Sequence, residues 1–375
     1  MFSSWEERNN PKMSKQILLI LALTIVTGLL FASQMVKYAG FCFSGAYADI
    51  GKNYPFTQKL LQESSSSQSY LDKLFYDYFS ANPELGNFTL DIQNQSKATL
   101  SLAIALNREE VAFEYYERET KAIYNLGCTV FIMDFSEMTI LQSYPINVTY
   151  LDLYDGEPAE QTIMQTLKKL YTDYILKKLA LNQKNIYIRS AGSLTIKIAN
   201  VNFSEDCLPV LGSFGSEPEI ETYKSIVAQH LTEALAFKMN LTVLPYSRSN
   251  LSYKMSLSFS DASIQNFTIP SASYDIDLNV KRFLKKLYKE TAAERVDLYG
   301  VELEMRIYDA EFNQEYWKQT IQNGAAKQIA AGQKIGNEFY NYNEILLLTL
   351  SDKIPATLKE DKKLMKGILK KCANY

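Results

Sequence analysis

The chain has 375 residues, 47% of them hydrophobic and 22% charged, and a net charge of −3 at pH 7. This composition is that of a folded protein, with length enough for two domains that each have a core. A balance so near neutrality excludes a strong overall attraction for nucleic acid, and a single His excludes two-histidine metal sites.

The amino-terminal pattern is MSKQILLILALTIVTGLLFASQ, Met13–Gln34; Lys12, just before it, and Lys15 precede an apolar run from Ile17 to Ala32. Basic, then apolar, then small residues is the order of a secretory signal. Met13 is an alternative start for such a leader. Cleavage after Ala32 is one reading. The other is an uncleaved membrane tether, Ile17 to Val36, whose 20 residues are enough to cross a bilayer. Both take the rest of the chain out of the cytoplasm, so the expected location is periplasmic or extracytoplasmic.

Met35–Phe43 reads as a strand, and the loop after it contains the serine run Ser64–Ser67. Leu71, Leu74, Phe75 and Tyr78 recur at helical spacing behind Ser69, an N-cap residue type. A short strand, NFTLDI, follows. Leu100, Leu102, Ile104 and Leu106 alternate, as do Leu126, Cys128, Val130 and Ile132, so two strands are expected there. Asp134 opens a polar turn, a third strand returns through Ile146, and a helix carries Ile163, Leu167, Leu170 and Tyr174 on one stripe.

The order then repeats. SLTIKIANVNF is a strand, and a helix has Ile220, Tyr223, Val227, Leu231 and Leu235 facing inward. NLTVLPY is a strand, Tyr274 to Val280 and Val301 to Ile307 alternate, Asp309 opens a turn, and a last helix closes the unit. An offset of 175 lays Leu126–Asp134 on Val301–Asp309, and an offset of 174 lays Leu100–Leu106 on Tyr274–Val280. The expected fold is α/β: two tandem, duplicated domains, each a mixed sheet flanked by helices, after an N-terminal apolar helix. The expected boundaries are 1–33 for the leader, 34–182 and 183–355 for the domains, and 356–375 for a basic tail. Each turn Asp is expected to bond the backbone two residues on.

The closing order of each unit resembles the small α/β domains of bacterial envelope proteins: the amino-terminal domain of TolB, the curli secretion protein CsgG and the penicillin-binding-protein activator LpoB. Tyr299–Ile321 is the passage nearest to them. Those families usually have Gly in the turn, where this chain has Glu311 to Gln314 and Ser136 to Met138. The resemblance implies a non-catalytic envelope protein that binds other envelope proteins.

The residues themselves show no catalytic, cofactor or metal site. His230 shares a stripe with Tyr223, Val227 and Ala234, which suits a packed residue. Cys42, Cys128, Cys207 and Cys372 have no metal or redox spacing. They are expected as free thiols, with the pairs 42–128 and 207–372 open to an oxidising compartment. Asp152, Asp155, Glu157 and Glu160 suit the start of a helix. Lys362, Lys363, Lys366, Lys370 and Lys371 suit a solvated face. Asn87, Asn147, Asn240 and Asn266 open glycosylation-type triplets, read as chance. The expected function is protein binding or scaffolding in an exported assembly. The alternative is an exported carboxylate-dependent hydrolase whose acids meet only in the fold.

Overall fold

In a computed structural model of the chain, the described residues are 34–45, 49–62, 69–115, 119–189, 192–213, 215–246, 254–259, 263–292, 294–330 and 337–373. The leader, 1–33, and the serine run lie outside them. The apolar run from Ile17 to Val36 does not end as a helix: Gln34–Val36 open strand β1 (Gln34–Ser44), where Val36 is fully buried against the core. Among the described residues no helix is long and apolar enough to cross a membrane.

After β1 come helices α1 (Pro55–Gln62) and α2 (Tyr70–Ala81), then strands β2 (Glu84–Leu85), β3 (Phe88–Asp91), β4 (Leu100–Tyr115), β5 (Glu119–Asp134) and β6 (Thr139–Asp155). Ser69 caps α2 as expected, its hydroxyl accepting from the N–H of Asp72. Helix α3 (160–182) contains a π-turn at Leu170–Ile175. That turn changes the expected stripe. Ile163, Leu167 and Leu170 are buried, but the extra residue rotates Tyr174 outward and brings Tyr171, Ile175 and Leu179 inward.

The second half has strand β7 (Ile196–Phe203), helix α4 (217–238), the hairpin β8 (Lys254–Phe259) and β9 (Ile264–Thr268), and long strands β10 (Tyr274–Glu290), β11 (Glu294–Asp309) and β12 (Glu315–Ala330). Helix α5 (339–360) and helix α6 (362–372) close the chain. The fold is mixed α/β, with two sheets flanked by helices. One sheet runs β2-β3-β1-β4-β5-β6-β9-β8, and the other runs β12-β11-β10-β7.

The registers of the two sheets correspond. Leu100 lies opposite Asp134, and Tyr274 opposite Asp309. One bulge follows Leu106 and another follows Val280; one follows Ile132 and another follows Ile307. The parallel neighbour of β4 is β1, and that of β10 is β7. The two turns also share a conformation. Asp134 Oδ1 accepts from the N–H of Ser136 (2.9 Å) and Glu137 (3.2 Å), and Asp309 Oδ1 from those of Glu311 and Phe312 (2.9 Å each). Met138 and Asn313 hold the left-handed positions, at φ 49° and 52°, so here a non-glycine residue closes each turn.

The halves differ in what covers them. The hairpin β8–β9 pairs with β1 and touches β6 through Thr139 and Thr268, closing β1-β4-β5-β6-β9-β8 into a ring. Inside that ring Ala103, Ala105, Phe131, Met133, Leu257 and Phe267 form a second, smaller core. Both faces of β4 and β5 are therefore buried there. In the second sheet the same positions carry Asp277, Asn279, Arg306 and Tyr308, all half-buried. Asn200 and Tyr308 donate to Asp277 (2.7 and 3.2 Å).

NLTVLPY does not form a regular strand. Its residues bridge the two sheets: Leu244 N–H donates to Ile196 O (2.9 Å), and Ser143 N–H donates to Val243 O (3.1 Å). Basic α6 packs by Leu364, Leu369 and Cys372, and its lysines stay exposed as expected.

Candidate functional site

The outer halves of β5 and β6 run past the edge of the second half, and a groove of about 630 Å³ opens between them and helices α4 and α5. Lys121, Ile123 and Asn125 of β5 and Leu151 of β6 form one wall. His230, Glu233, Phe237, Tyr340 and Leu348 form the other. The alternation of β6 explains the first wall: Tyr150 and Tyr154 turn toward α3, where Tyr154 bonds Tyr124 (2.9 Å), so Leu151 faces the groove. Leu151 is 55% exposed and Leu348 41%.

The charges of the groove are held inside the molecule. Glu233 forms an ion pair with Lys178 and accepts from the N–H (3.1 Å) and Nδ2 (2.8 Å) of Asn147. Lys178 also donates to Asn147 O (2.8 Å). Lys238 pairs with Asp352, Lys327 with Glu344, and Lys121 with Glu114, while Lys121 also lies over the Tyr340 ring. These carboxylates thus act as partners of lysines 7 to 114 residues away, and Glu233 also ties α4 to β6.

His230 sits in this wall. Burial, then the charges of Arg108 and Lys178, press its imidazole down to a pKa of about 3, so it is neutral at physiological pH. Its Nε2 is buried without a hydrogen-bond partner among the described residues. The sequence placed His230 on a packed stripe, and its neighbours Val227 and Leu231 are indeed fully buried. What the sequence could not show is the Lys178–Glu233–Asn147 cluster, because Asn147 and Glu233 are 86 residues apart.

The other singled-out residues do not meet. Asp134 and Asp309 each serve their own turn. Glu160 lies in the first turn of α3 and pairs with Lys59 (2.6 Å), and Asp152 bonds its neighbour's N–H. All four cysteines are free and buried, as the free-thiol reading expected; burial pushes the thiols of Cys42, Cys128, Cys207 and Cys372 up. Among the described residues no cluster of three His, Cys, Asp or Glu could hold a metal ion.

No family model and no curated protein matches the chain. Lipoprotein GNA1162 from Neisseria meningitidis is similar at 11% identity and a TM-score of 0.19, over 45% of this chain and 99% of that one. A minor lipoprotein from Acinetobacter baumannii is similar at 8% identity and 0.20, over 45% and 95%. A Xanthomonas campestris protein of family DUF330 is 11% identical with a TM-score of 0.20, over 26% of this chain, which spans only 56% of that protein. The likeness to these bacterial lipoproteins is a loose one and does not reach TolB, CsgG or LpoB in particular.

Proposed function

We propose that the chain is an extracytoplasmic envelope protein that acts by non-catalytic protein binding or scaffolding, with the groove between its halves as the binding surface. One observation carries this reading: the groove's charges are already paired internally, while Leu151 and Leu348 stand exposed on its two walls. Such a surface gains free energy by burying apolar area, about 25 cal/mol per Å², rather than by supplying a free acid and base. The export order of Lys12 to Ala32 supports the location. The matched registers and bulges support reading 34–182 and 183–355 as two related units. The partners are envelope proteins rather than nucleic acid, in keeping with the net charge of −3.

The test places a photo-reactive side chain at Leu151 or Leu348 of the full chain in its own host, with Lys59 as the control position. Both groove positions should capture the same extracytoplasmic protein, and Lys59 should not. Purified, that protein should bind the wild-type chain and lose binding to Leu151→Glu. Different adducts from the two walls, or binding unchanged by Leu151→Glu, would reject the reading.

A further inference from the structure

The sheet β12-β11-β10-β7 ends at β12, and among the described residues no strand pairs with its outer edge. An unpaired edge of 16 residues is a template for another strand, and proteins usually blunt such edges with charge or proline. In β12 the stretch from Gln319 to Ala326 carries no charge and no proline, and it includes Gly324.

Strand β6 occupies the matching place in the first sheet and shows what such an edge does in this protein. Ser143 lies opposite Phe131, and Lys318 lies opposite Arg306; Asn147 lies opposite Gly127, and Gln322 opposite Glu302. The edge N–H of Ser143 is taken by Val243 O and that of Asn147 by Glu233, so the bridging segment and α4 cover β6. Between them stands Pro145, opposite Thr129 and without an N–H to satisfy. On β12 the residue in that place is Thr320, opposite Glu304. The edge N–H groups of Lys318, Thr320 and Gln322 therefore point outward together.

We propose that the outer edge of β12 is a self-association surface, where β12 of a second copy adds antiparallel and joins the two four-stranded sheets across a two-fold axis. A register centred on Ile321 sets Glu315 of one copy opposite Lys327 of the other, twice, and Lys318 opposite the uncharged Gly324, while within each chain Glu315 also pairs with Arg306 (3.3 Å) and Lys327 with Glu344. No like charges face each other. Thr320 lies opposite Gln322 of the second copy, so the outward N–H and C=O groups of both strands pair. This surface is separate from the groove, and its failure would leave the binding reading above untouched.

The experiment follows the mass of the purified full chain by light scattering across a hundredfold range of concentration. Wild type should form a dimer. Thr320→Pro should weaken dimerisation about tenfold or more through the lost N–H, since one net hydrogen bond on each side approaches that factor. Its melting temperature measured at low concentration should match wild type, because β6 folds with proline at that place. A wild-type chain that stays monomeric throughout would overturn the proposal. So would a dimer indifferent to Thr320→Pro.

Discussion

Gly86→Ala should be among the most damaging single-methyl changes in this protein. Gly86 sits in the turn between β2 and β3, and the segment 183–189, which links the two halves, passes directly over it. A methyl there would press on the carbonyl oxygen of Ile186 and lie 2.8 Å from Cδ1 of the Tyr187 ring. Neither obstacle can step aside alone. Ile186 is fully buried, Asn87 holds Ile188 by two hydrogen bonds of 2.9 and 2.8 Å, and Tyr144 both donates to Tyr187 O (2.9 Å) and accepts from its N–H (3.0 Å). Making room needs a shift of about 1 Å, which overpacking data put at roughly 1–3 kcal/mol. Disturbing the Asn87–Ile188 pair adds about 1 kcal/mol. The sum is about 3 kcal/mol, or a fall in Tm of roughly 4 °C for a chain of 375 residues. Thermal unfolding followed by circular dichroism measures it. A variant melting within 1 °C of wild type would show that the linker is not clamped by this hairpin.

Asp134→Ala should destabilise by about 1 kcal/mol, through loss of the bonds to Ser136 and Glu137. The Ser136 hydroxyl, then the backbone N–H groups, hold the Asp134 carboxyl below its ordinary range. That contribution is therefore present above the usual aspartate pKa and lost as pH falls through the folded value; equal acid sensitivity in wild type and Asp134→Ala would contradict it. His230 has the opposite chemistry and the same direction. Its folded pKa of about 3 lies below the ordinary 6.5, so protons favour the unfolded chain as pH drops from 6.5 toward 3. His230→Gln should flatten the loss of stability in urea titrations over that window, and an unchanged slope would show that the imidazole is already solvated. The four cysteines should resist a thiol reagent at pH 8 in the native chain and all react after denaturation, because each is buried. Rapid native labelling of Cys42 or Cys128 would contradict the packing of β1 and β5.

Much of this fold was legible because alternation and spacing are local properties. Leu102, Ile104 and Leu106, with Cys128, Val130 and Ile132, lie on the core face that their period of two marks. The turn aspartates, the Ser69 cap and the α4 stripe also follow from neighbours a few residues apart. The stripe of α3 was legible only as far as Leu170, because a π-turn leaves no mark on spacing. The groove was not legible at all: its walls come from β5, β6, α4 and α5, and its central ion pair joins Lys178 to Glu233.

The two sheets show where the division falls. The local order of residues sets which of them form strands, where they turn and which side of each strand is apolar, since sterics and side-chain period act within a few residues. It also set Ala103, Ala105, Phe131 and Met133 in the first half against Asp277, Asn279, Arg306 and Tyr308 in the second. The reason for that contrast lies in long-range packing. The hairpin β8–β9, more than a hundred residues on in the chain, folds back over the first set and removes it from water, while the second set stays at the surface. A face takes its chemistry from what covers it, and that cover is assigned by long-range packing.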